Sequence, residues 1–135
     1  MGTQQLLLIV VGVILIGIMI AVGLFMFRDQ AAATNRDALA NDLVHHAAAA
    51  QQYYRVPRAF GGGQRSFDGL TMAKITSKTI NSNGTYVLLD PEPVSGNPLF
   101  ITLTGTGTEN GIDPSAKVQV VMQVFADSVH VASGN

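Results

Sequence analysis

The first charged side chain in this sequence is Arg28, and from Leu6 to Phe27 the chain is one apolar run, LLLIVVGVILIGIMIAVGLFMF. No amide, hydroxyl or proline interrupts it. As a helix rising about 1.5 Å per residue it reaches roughly 33 Å, against a bilayer hydrocarbon core of about 30 Å. A helix that is apolar on every side cannot lie on the surface of a soluble domain. The run has to be covered by lipid or by other apolar helices. Each Leu, Ile, Val or Phe near the bilayer centre favours insertion by about 0.3–0.6 kcal/mol, so the segment is expected to enter a membrane at some stage.

A cleaved secretory signal would combine a basic start, a shorter apolar core and a small-residue cleavage site. The stretch FMFRDQ at residues 25–30 offers no such site. A myristoyl anchor on Gly2 would want Ser or Thr where Leu6 stands. A simple anchor helix is the stronger alternative, and it would end near the lipid headgroups. Here, however, no Gly or Pro occurs between Leu24 and Arg55, and Ala, Leu and Gln dominate residues 31–52. These are good helix formers, so one unbroken helix is predicted from about Thr3 to Tyr54, roughly 75 Å long. Its second half changes character. Leu39, Leu43, Ala47, Ala50 and Tyr54 recur at three- and four-residue spacing, which makes a narrow apolar stripe. Arg36, Asp37, Asn41, Asp42 and Gln51 are read as lying elsewhere around the helix.

In this pattern the sequence resembles the type IV pilins, which combine an apolar half-helix, an amphipathic second half and an antiparallel sheet packed on it. The resemblance implies a fold and a function. The apolar halves would form the core of a helical filament, and the heads would tile its outside. It also implies residence in the cytoplasmic (inner) membrane before assembly, export by a pilus assembly machinery, and an extracellular filament of identical copies at the cell surface. The residues representing that core are Gln4, Gln5, Leu7, Val11, Ile14, Ile18, Val22 and Phe25, with Met1 at its start. Three departures accompany the likeness. No short basic leader precedes the apolar run, Gln5 stands where the family carries Glu, and the proline common in the first half-helix is missing. A neutral amide accepts a hydrogen bond from an ammonium group, but without charge attraction. The reading outside this family is a membrane-anchored surface binding module or adhesin that does not polymerise.

Residues 1–27 are thus read as the membrane or filament-core segment and 28–135 as a head. The head divides into an amphipathic half-helix (28–55), a connector loop (56–84) and a sheet (85–135). Arg55 and Arg58 suit a helix C-terminus, and Pro57 cannot extend it. Gly61, Gly62 and Gly63 follow as a permissive connector; without a preceding strand or a following Lys-Ser/Thr they are no phosphate loop. Three runs read as strands: Thr85–Leu89, Leu99–Thr104 and Lys117–Phe125, with a short fourth at Val129–Ala132. In the third, Val118, Val120, Met122 and Val124 form the apolar face. Turns are placed at Asn83–Gly84, at DPEP from Asp90, at SGNP from Ser95 and at GTGTENG from Gly105. Strands joined by turns imply an antiparallel sheet of three or four strands. The whole is α+β, with the stripe from Leu39 to Tyr54 covering the sheet.

Little in the chain carries chemistry. With no cysteine there is neither a disulfide nor a thiolate site. His45 and His46 are adjacent and diverge by about 100° on a helix, so they cannot chelate one ion as an i, i+4 pair does. Neither a metal nor another cofactor is expected. No nucleophile motif appears, and enzyme activity or a small-molecule substrate is not expected. The Glu109–Asp113 loop offers oxygens without the EF-hand order and is read as a solvated turn. Asn83–Gly84–Thr85 has the form of a glycosylation sequon and is read as a turn. Arg55, Arg58 and Arg65 near Tyr53, Tyr54 and Phe60 interleave base and aromatic as single-strand binders do. They are read as a helix-end cap with aromatic packing. A net charge of −1 fits that reading, and no nucleic acid is expected.

Overall fold

A computed structural model describes residues 2–134. Helix α1 runs Gly2–Arg55. Two compact units divide between Ala31 and Ala32, slightly later than the change from apolar to charged sequence, because Ala32 is the first helix residue packed on the head core. In the first unit residues 2–31 are helical, and their side chains are exposed almost throughout.

The second unit is the head. Its sheet has four strands, β1 (Gly84–Leu88), β2 (Phe100–Asn110), β3 (Lys117–Phe125) and β4 (Val129–Gly134). They lie in sequence order, each antiparallel to the next. The predicted period of two holds on β3, where Val118, Val120, Met122 and Val124 are all buried. Tyr86 and Leu88 on β1 and Ile101 and Leu103 on β2 join the same face. Over it lies the helix stripe: Leu39, Leu43, Ala47 and Ala50 are fully buried. Tyr54, at the end of the stripe, is half-buried and packs its ring on Phe67, centroids 4.9 Å apart.

The predicted turn from Gly105 is corrected: β2 continues through it to Asn110. Its glycines serve the helix. A Cβ on Gly107 would stand 2.0 Å from Asn35 Oδ1 and 3.2 Å from Leu39 Cδ1, and one on Gly105 would stand 3.3 Å from Leu43 Cδ1. Gly84, the register partner of Gly107, would put its Cβ 2.2 Å from the Thr106 carbonyl and 2.9 Å from Leu39 Cδ2. The sheet lacks side chains here so that the helix can approach.

The connector also holds more than a loop. It contains a 3₁₀ turn, Arg58–Phe60, and a short helix α2, Met72–Ile75. Phe67, Leu70, Met72 and Ile75 enter the core, as does Val94 from the β1–β2 connection. Its glycines turn the backbone back on α1. Gly63 N–H donates to the Tyr53 carbonyl at 2.8 Å and Arg65 N–H to that of Tyr54 at 2.7 Å. Two of the last helix carbonyls, which have no partner inside the helix, are thereby satisfied by backbone. A Cβ on Gly63 would stand 1.8 Å from the Ser66 carbonyl.

Asp42 and Gln51 lie off the apolar stripe, as spacing placed them, and on its flanks they bond to groups of the head. Gln51 Nε2 donates to the carbonyls of Phe125 at 3.0 Å and Ser128 at 3.2 Å, closing the β3–β4 turn against the helix. Asp42 is the centre of a polar cluster described below.

Candidate assembly interface

Two sets of residues follow from the sequence, and they meet different fates. The helix-to-sheet set is brought together in one core: Leu39, Leu43, Ala47, Ala50, Val118, Val120, Met122 and Val124 are buried, with Tyr54 at the margin. The apolar half-helix set is brought against nothing among the described residues. Gln4, Gln5, Leu7, Val11, Ile14, Ile18, Val22 and Phe25 are all exposed, and Met1 lies outside the described residues. The large apolar side chains from Leu6 to Phe27 keep between 46% and 77% of their surface open. A Cβ added at Gly12, Gly17 or Gly23 would meet nothing within 4 Å. This helix is long and apolar enough to cross a membrane.

What such a surface can do is set by area. It bears no charge on any side, so nothing keeps water favourably in contact with it. At about 25 cal/mol per Å² of apolar surface removed from water, its burial against lipid or against copies of itself is a large favourable term. The amides of Gln4 and Gln5 sit in the first turn of the helix, beside backbone N–H groups that have no partner within it. Any burial of this end must supply them with hydrogen bonds.

Spacing alone missed a polar cluster on the flank of the second helix half. Asp42 Oδ2 accepts the amide N–H groups of Asn81 and Asn83, each at 2.8 Å, and the Tyr86 hydroxyl. The ring of His46 stands edge-on to Tyr86, centroids 4.9 Å apart. Hydrogen bonds from Tyr86 and Asn83 hold the Asp42 carboxyl below the usual carboxylate range. Burial, and then the bond to Asp42, push the Tyr86 phenol above its ordinary value. Burial lowers His46, with the Asp42 charge opposing it. The available signal was the recurrence of Asn35, Asp42 and His46 alongside the apolar stripe, which makes the covered face wider than its apolar members. Asn35 itself is buried and donates to the Asn83 carbonyl at 2.9 Å. Asn83, the sequon residue, has its amide nitrogen spent on Asp42.

The remaining candidates take local roles. Arg58 faces Asp68 at 3.4 Å on the surface. Tyr53 donates to the Asp68 carbonyl at 2.9 Å, with the Lys74 ammonium 5.0 Å from its ring centre. Phe60 is 83% exposed, and His45 is exposed beside His46. Asp113 Oδ1 accepts the Ser115 N–H at 2.9 Å within its own turn. No family model, curated protein or solved structure matches the chain.

Proposed function

We propose that this chain is the structural subunit of a helical surface filament of the type IV pilus kind, held in the membrane by its apolar half-helix and then polymerised through it. The observation that carries the reading is the exposed, charge-free helix surface from Leu6 to Phe27, which continues as helix into a head with a complete core of its own. A head that folds around residues 32–134 leaves the apolar half-helix free for other clients. Bilayer and bundle are equivalent solvents for such a helix, so the same surface serves before and after assembly. Helix α1 continues without interruption past Phe27, the end of the apolar run, which favours this reading over an anchor joined by a linker.

The test is to shear the producing cells, collect the released material and identify its protein by mass spectrometry alongside electron microscopy. Thin filaments with this chain as their main component are the expected result. Recovery only in membranes, as a monomer, would leave the anchored binding module as the reading in its place.

A further inference from the structure

The face of α1 turned away from the sheet carries Asp37, Asn41, Val44, Ala48 and Arg55, all exposed. Val44 keeps 51% of its surface open. Asp37 and Arg55 are about five helical turns apart, roughly 27 Å at 1.5 Å per residue, and therefore lie on the same side. Neither makes an ion pair or hydrogen bond among the described residues. Beside Arg55 a recess of about 430 Å³ opens, lined by Ala48, Gln51, Gln52, Arg55, Val56 and Pro57.

A face with opposite charges at its two ends does not complement a level copy of itself. Side by side and parallel, Asp37 would meet Asp37 and Arg55 would meet Arg55. Displaced by about five turns, the same two faces bring Arg55 of one copy level with Asp37 of the other. The recess, lined in part by the small Ala48, then lies beside the turn that carries Asp37. We propose that Arg55 of each copy pairs with Asp37 of a second copy, displaced by about 27 Å along parallel helices, and that this pair sets the axial register of the polymer. The proposal rests on the filament reading above. Each copy gives Arg55 to one neighbour and Asp37 to another, so the contact is head-to-tail and propagates instead of closing into a pair.

The experiment is a charge swap in the full chain in its filament-forming cells: Asp37→Arg, Arg55→Asp and the double variant. Each single change places like charges opposite one another at every repeat, and the yield of sheared filaments should fall roughly tenfold or more. The double swap should restore it. Melting of the head should be unchanged in Asp37→Arg, whose side chain is exposed and without a partner in the fold, and slightly and equally lowered in Arg55→Asp and the double variant, which put a negative charge at the C-terminal end of α1. Wild-type yield from both single variants, or a double variant no better than the singles, overturns the pairing while leaving the filament intact. Absence of filaments from the wild-type chain overturns both readings.

Discussion

Asp42 on α1 accepts the hydroxyl hydrogen of Tyr86 on β1, so a carboxylate on the flank of the helix is held by the sheet that the helix covers. Two asparagines from the segment before β1 converge on the same oxygen. The apolar stripe gives the helix its affinity for the sheet, and this cluster fixes where along the sheet it sits. Tyr86 is almost fully buried, and a hydrogen bond to a charged group contributes about 1.5–3 kcal/mol. Tyr86→Phe should therefore lower head stability by that order, read as a shift in the chemical-denaturation midpoint at unchanged slope. A shift indistinguishable from zero would mean that the cluster is ornamental to the fold.

The same cluster gives the head a signed pH dependence. Burial holds His46 below its ordinary value of 6.5, so its neutral form is the folded one, and stability declines as pH falls below that value. Hydrogen bonding holds Asp42 below 3.8, so its contribution is present above that value and is lost as pH drops further. Both slopes run the same way, and stability falls toward acid in two stages. Thermal melting across pH 4 to 8 should show the first stage in the wild-type head and lose it in His46→Gln. A first stage that survives this substitution would assign it to another group.

Leu43 is fully buried and stands under Gly105 and Tyr86, where a Cβ on that glycine would reach it at 3.3 Å. Leu43→Ala should cost about 2–5 kcal/mol of head stability. A loss under about 1 kcal/mol, in the full chain in detergent or in the head alone, would show that the helix face can slide or collapse to fill the gap.

Glycine substitutions should divide by unit. Gly84→Ala brings a methyl group against the Thr106 carbonyl and Leu39, and overpacking of this sort costs about 1–3 kcal/mol or more. Gly12→Ala meets nothing and should leave the head's melting unchanged while favouring helix locally by about 1 kcal/mol. Any effect of Gly12→Ala on filament yield would then report on packing between copies.

Much of this fold was legible because two periods were clean. The alternation on Lys117–Phe125 gave β3 its observed bounds, and the spacing of Leu39, Leu43, Ala47 and Ala50 gave the covered helix face. What failed shares one physical cause. Gly105 and Gly107 read as a turn because glycine is the usual turn residue, whereas here its value is the absent side chain beneath a helix that only the tertiary structure brings near. The partners of Asp42 and Gln51 were not legible, because they lie far along the chain and leave no local pattern. In the connector, Phe67, Leu70, Met72 and Ile75 contribute to the core from irregular backbone, which has no period to detect. The half-helix was legible as a surface needing cover, and its partner is not written in one copy of the chain.

That partner is what Val10→Asp tests. Val10 lies within the charge-free run, and an aspartate in such a segment costs up to about 2.5–3.5 kcal/mol in a bilayer, most at its centre, and more in a bundle that offers it no partner. Gln5→Leu removes a polar group without adding a charge and should weaken or misregister assembly while leaving the head folded. The decisive measurement is electron microscopy of sheared filaments from cells producing each variant, with the head's fold checked by circular dichroism. Abundant filaments in wild type, altered ones in Gln5→Leu and none in Val10→Asp are expected. Normal filaments from Val10→Asp would contradict the central claim, because the apolar half-helix would then not be the core of the polymer.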